Sequence, residues 1–120
     1  MHSIPFDRTR LTSGFWQDKQ RMVLDTSIEA VRTRFEQTGR FAAFDFTWKP
    51  GDPGKPHIFW DSDIAKWIEG AAYALRLEPN PALEAQVDAV VEKIIAHQEA
   101  DGYFNIYFTV VEPGKRFTRR

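Results

Sequence analysis

The chain has 120 residues, the size of one domain or of part of a larger one. With 42% hydrophobic and 28% charged residues it has the make-up of a folded, water-facing protein, and no apolar run approaches membrane-spanning length. A formal net charge of −1 supplies no basic field for nucleic acid, and zero cysteines exclude disulfides, thiolate zinc sites and a cysteine nucleophile within this chain.

Residues 1–11 read as an extended lead-in, because Pro5 opposes an early helix. Asp7, Arg8 and Arg10 interrupt any apolar core of a secretion signal, so a cytoplasmic protein is expected. Thr12 and Ser13 are candidate N-caps for a first helix reaching about Thr38. Leu24, Ile28, Val31 and Phe35 recur at helical spacing, with Trp16 as an earlier member of the stripe. Gly39 stands where a glycine ends a helix.

From Arg40 to His57 the pattern becomes irregular. The run Trp48-Lys-Pro-Gly-Asp-Pro-Gly-Lys-Pro56 forbids regular helix or central strand. Yet Phe41, Phe44, Phe46, Trp48, Phe59 and Trp60 make residues 41–60 too aromatic for a disordered linker. The expectation is a long aromatic loop across the mouth of a cleft, as a packed lid or in contact with a ligand.

A second helix is predicted from about Ser62 to Leu77, with Asp61, Ser62 and Asp63 all suited to cap it. Its apolar stripe is Ile64, Ile68, Ala71 and Leu75, with Trp67 and Tyr73 off centre and a small-residue patch at Gly70-Ala-Ala72. Leu77-Glu-Pro-Asn-Pro81 ends it. Asn80 then caps a third helix, with Pro81 in its first position and a stripe of Leu83, Val87, Val90 and Ile94. The connection is short, so these two helices should form an antiparallel hairpin. Asp101-Gly102 signals a turn, and Tyr103 to Val111 has the composition of a short strand or extended arm. Lys115, Arg116, Arg119 and Arg120 make a basic end, read as a solvated tail.

An antiparallel hairpin brings the start of one helix and the end of the next to the same pole. That gathers Trp60, Asp61, Asp63, Gln98, Asp101, Tyr103 and Phe104 onto one rim. Carboxylates accept hydrogen bonds from hydroxyls, and ring faces suit the apolar faces of a sugar, so the rim has the working parts of a carbohydrate site. Capping, the commonest job of such residues at a helix start, accounts for the same carboxylates. His2, His57 and His97 lack the spacing of a metal site, and His97 reads as a partner of the third helix's C-terminal dipole. No phosphate-binding glycine loop and no nucleophile elbow is present.

These residues resemble the N-terminal segment of glycoside hydrolase family 127, the β-L-arabinofuranosidase-like family. The likeness is carried by Gly14-Phe-Trp16, Thr38-Gly-Arg40, Phe59-Trp-Asp-Ser-Asp-Ile-Ala-Lys-Trp-Ile-Glu-Gly-Ala-Ala-Tyr73, Gln98-Glu-Ala-Asp-Gly-Tyr-Phe104 and Arg116-Phe-Thr118. It implies a mainly α fold, with these helices as the opening hairpins of an (α/α)6 barrel. On that view residues 1–120 are a single partial domain. It also implies a retaining glycosidase with a cysteine nucleophile and a zinc site of cysteines and a glutamate. None of those groups maps onto this chain, so no catalytic residue and no metal ligand is carried over, and the chain by itself is expected to be inactive. The resemblance makes carbohydrate the expected partner. The alternatives are a small carbohydrate-binding protein, or a non-catalytic helical module that forms homo-oligomers through the stripes Leu24/Ile28/Val31/Phe35 and Leu83/Val87/Val90/Ile94.

Overall fold

The first helix opens at Phe15 and not from a side-chain cap. Gly14, at φ 80°, turns the chain into it, and Thr12 and Ser13 make no capping bond. Helix α1 (Phe15–Met22) runs through a π-helical stretch (Val23–Ser27) directly into α2 (Ile28–Gln37), so the expected single helix is one rod with a wider turn in its middle. It stops where the sequence places the stop, with Thr38 closing the last turn and Gly39 at φ 77°. The computed structural model describes residues 4–118; His2 and the basic-end residues Arg119 and Arg120 lie outside them.

Ala42–Asp45 forms one 3-10 turn after α2, and the chain then has no regular element until α3 (Trp60–Leu77). Three of the loop's rings serve the interior: Phe44 is fully buried, and Phe41 and Phe46 pack against the same core. Helix α3 begins two residues before its expected start. Phe59 is the residue before its first turn, with the Asp63 amide donating to the Phe59 carbonyl at 2.8 Å and no side-chain cap. The three cap-type residues thus lie inside the first turn, where Asp61 and Asp63 face the positive end of the helix dipole.

The expected stripe of α3 is corrected by one position. Ile64, Trp67, Ala71 and Ala74 are its buried residues, whereas Ile68 and Leu75 are half-buried. Trp67 is central because its indole N–H donates to the Ile28 carbonyl at 3.2 Å while its ring meets Phe41 edge-on at 5.4 Å. A large amphipathic ring can join α2 and α3 in this way only from the middle of the interface. Of the small-residue patch, only Ala71 is buried.

Helix α4 (Pro81–His97) follows the connector Glu78–Asn80 and packs on α3 as the expected hairpin. Its cap is as read from the sequence: the Asn80 side chain accepts from the Leu83 amide at 3.1 Å, and Pro81 is the first helical residue. At its other end, His97 Nδ1 donates to the Lys93 carbonyl at 2.9 Å, and the imidazole stacks on Phe46 at 4.7 Å.

The strand or extended arm expected over Tyr103–Val111 is overturned. Tyr107–Val110 is a single helical turn, α5, and no strand occurs among the described residues. The reason is local. Asn105 Oδ1 accepts from the Phe108 amide at 2.8 Å, which caps a turn, and Ile106 is drawn into the core at 1% exposure. Burial and a cap outweigh the β-propensity of the side chains.

The core is one small cluster of Phe44, Ile64, Trp67, Ala71, Val87, Val90 and Ile106, with Ile28, Phe35, Leu83 and Ile94 packed against it. Most of the two stripes assigned to oligomerisation is therefore spent inside the molecule. Large apolar side chains remain outside: Phe15, Trp16, Met22, Val23 and Val31 are exposed along the first rod. The accessible surface of 8766 Å2 exceeds by about 2,100 Å2 the roughly 6,700 Å2 expected of a compact protein of 13.9 kDa. The radius of gyration, 17.3 Å, likewise exceeds the roughly 14 Å of a compact domain this long.

Candidate functional site

The pole of the α3/α4 hairpin where α3 starts and α4 ends is held by three polar ties. The first joins α3 to the segment before α5. Half-buried Asp61 accepts from the Ser62 amide through Oδ1 at 2.9 Å and from Asn105 Nδ2 through Oδ2 at 2.7 Å. Burial raises the Asp61 carboxyl above its ordinary value, the neighbouring Asp63 charge adds to this, and the backbone amides of Ser62, Asp61 and Ile106 pull the other way.

The second tie joins the end of α2 to α3. Arg40 Nε donates to Asp63 at 3.3 Å, its Nη1 donates to Thr38 Oγ1 at 2.6 Å, and its guanidinium lies over both Phe35 (5.0 Å) and Trp60 (5.5 Å). The third closes the loop after α4. Asp101 accepts from the Tyr103 amide at 2.9 Å, and Gln98 Nε2 donates to the Gly102 carbonyl at 3.0 Å. Gly102, at φ 86°, makes the turn that the Asp-Gly pair signals. Arg116 grips both Glu99 oxygens and lies 4.3 Å over the Tyr103 ring.

The seven rim residues are thus brought to one pole but have unequal freedom. Asp61 accepts from Asn105 and Asp101 accepts from the Tyr103 amide two residues earlier, so the two acidic corners share one end. Burial raises the Tyr103 phenol above its ordinary value, opposed by Arg116 and helped by the Glu99, Asp61 and Asp101 charges. Asp61 is fully engaged in joining backbone segments. Asp101 and Gln98 are exposed but hold the turn. Phe104 is spent on packing, at 5.7 Å from Phe44 and 5.5 Å from Phe46. One face each of Trp60 and Tyr103 is covered by an arginine.

Sequence reasoning did not assign Asn105, Arg40, Glu99 or Arg116 to the rim. Arg40, Glu99 and Arg116 entered only through the family likeness, and Arg116, read as part of a solvated tail, instead bonds Glu99 and lies over Tyr103. Asn105 lies just beyond the stretch Gln98–Phe104. An Asn between an aromatic and Ile106, and an Arg directly after a helix-ending glycine, were the available signals. Among the described residues no group of three or more His, Cys, Asp or Glu side chains is placed to hold a metal ion. The donor set therefore does not fit zinc, and nothing in this chain's chemistry is routed through it.

A surface hollow of about 480 Å3 lies beside this pole between the end of α2 and the loop of residues 47–56. A hollow of about 310 Å3 reaches Asp63 from the α2/α3 groove.

Residues 8–119 match the family model described as β-L-arabinofuranosidase, GH127 catalytic domain. Over 53 residues the chain is 43% identical to a non-reducing end β-L-arabinofuranosidase of Bifidobacterium longum subsp. longum, a match that covers 44% of this chain and 8% of that protein. A GH127 β-L-arabinofuranosidase from Geobacillus stearothermophilus T6 superposes with a TM-score of 0.79 and 31% identity, over 90% of this chain and 18% of that one. A second solved GH127 β-arabinofuranosidase gives a TM-score of 0.78 and 29% identity, over 88% of this chain and 17% of that one. The chain thus spans less than a fifth of the length of these relatives.

Proposed function

Because this chain belongs to the GH127 β-L-arabinofuranosidase catalytic-domain family, we propose that it forms the opening hairpins of an α/α-barrel glycosidase and supports one side of the sugar site. The observation that carries this is the family match over residues 8–119, joined to solved GH127 enzymes that share its fold. The substrate class is the β-L-arabinofuranosides that the relatives' names give, or closely related sugars. Trp60, Asp63, Gln98, Asp101 and Tyr103 are the groups on the rim that a sugar would meet. Asp61 and Phe104 hold those groups in place, Asp61 through Asn105 and Phe104 through Phe44 and Phe46.

The residues present hold and orient, and carry out no bond cleavage by themselves. The two rim carboxyls of α3 are already engaged, Asp61 by Asn105 and Asp63 by Arg40. The chain has no cysteine, and among the described residues no three His, Asp or Glu side chains are placed to hold zinc. The chain alone is therefore inactive, and incubation with an aryl β-L-arabinofuranoside tests this. Release of the aryl alcohol above the buffer rate, abolished in Asp63→Asn, would overturn it. A cytoplasmic setting is part of the same proposal, supported by a composition without cysteine.

The excess surface supports one further reading of the isolated chain, as a self-associating module. The face concerned is the exposed edge of the first rod at Phe15, Trp16, Met22, Val23 and Val31, since most of the stripe of α4 is already buried.

A further inference from the structure

We propose that the hollow between the end of α2 and the loop of residues 47–56 is an outer carbohydrate subsite, which takes one furanose or pyranose ring against Trp48. The choice of sugar as ligand rests on the family reading above; the location rests on four observations.

The first is size. At about 480 Å3 this hollow is within the range of small-molecule sites and well above hollows of 200–330 Å3 elsewhere on the surface. The second is the state of the indole. Phe41, Phe44, Phe46, Phe59 and Trp60 each have a ring or guanidinium partner, whereas Trp48 has none among the described residues. A half-buried indole that has no ring or cation partner and lines a hollow of this size is suited to stack on a sugar's C–H face.

The third is rigidity. The Trp48 N–H donates to the Asp52 carbonyl at 3.2 Å, the Lys49 amide donates to Asp52 Oδ2 at 2.9 Å, and the Asp52 amide returns to the Lys49 carbonyl at 3.0 Å. Pro56 is buried at the far end of the loop. The platform is therefore set before any ligand arrives, which spares the ordering cost of binding. The fourth is position. Thr38 lines the hollow and also accepts from Arg40, which reaches Asp63 on the rim. A sugar on Trp48 would lie beside the rim, as the next unit of a longer saccharide. Gln37 and Thr47 supply amide and hydroxyl groups for its polar edge.

The test is a titration of the 15N-labelled full chain with L-arabinose and with methyl β-L-arabinofuranoside, with glycerol as control. Saturable shifts in the millimolar range are expected at the Trp48 indole and at the amides of Gln37, Gly39, Thr47 and Gly54. Trp48→Ala should weaken binding about tenfold or more, and Thr47→Val severalfold, with unchanged far-UV circular dichroism. Should Trp48→Ala unfold the chain, Thr47→Val decides. Saturable shifts confined to Trp60, Tyr103 and Asn105 would overturn the outer subsite and leave the family reading of the rim standing. Shifts no larger than those with glycerol would overturn both.

Discussion

At the scale of single residues, Asp61 is the most informative group. It was singled out as an acidic cap beside an aromatic pair, and its role in the structure is to tie α3 to the segment before α5. Asn105→Ala leaves a half-buried carboxylate oxygen without its donor and should cost about 1–3 kcal/mol, read by urea unfolding. Asp61 also sets a pH dependence. Its carboxyl is raised in the fold, so its contribution to stability is complete in acid below the ordinary carboxylate range and is lost as pH rises through the raised value. Glu29 and Glu99 are lowered by the hydrogen bonds of Arg32 and Arg116, so what they contribute is present above the ordinary value and lost as pH falls. Carboxyl-carbon titrations by NMR should find Asp61 above the ordinary Asp value, and Glu29 and Glu99 below the ordinary Glu value. Asp61→Asn should remove the part of the stability profile that declines with rising pH through the acid range.

At the scale of elements, the boundaries set by local chemistry were legible. Asn80 with Pro81, and Gly39 after Thr38, act through neighbours within four residues, so their roles follow from sequence position. Asn80→Ala should lower stability by about 1 kcal/mol, seen as a drop in Tm with no change in fold. Other features required knowledge of the partner. Trp67 looks peripheral on a helical wheel, yet it occupies the centre because the Ile28 carbonyl and the Phe41 ring wait on that side. Trp67→Ala should cost about 3–5 kcal/mol, enough to unfold a chain with so small a core in a thermal melt. The Tyr103–Val111 segment shows the same limit: β-branched and aromatic residues read as extended, but the Asn105 cap and the burial of Ile106 wind them into a helical turn.

At the scale of the whole molecule, the decisive quantity is unburied apolar surface. Two hairpin helices and one bent rod enclose only a handful of fully buried side chains, while Phe15 and Trp16 remain 62% and 68% exposed. A surface about 2,100 Å2 above expectation is larger than one partner's share of a standard protein interface. The isolated chain should therefore sediment as a concentration-dependent oligomer and bind an apolar dye. Substituting Trp16 and Val31 by Lys should shift it toward monomer; a strictly monomeric wild type at high concentration would count against the self-associating reading.

Sequence by itself determined the long helices, the hairpin that brings both acidic corners to one pole, and the family, because these depend on periodicity, caps, short connections and specific motifs. Only the tertiary structure decided which rim groups are free. Arg40, Asn105 and Arg116 come from other segments to occupy Asp63, Asp61 and Tyr103, and no local pattern encodes a partner 44 residues away. That Trp48 finds no ring or cation partner among the described residues emerged for the same reason: whether a ring is spent on such a contact is settled by what folds against it.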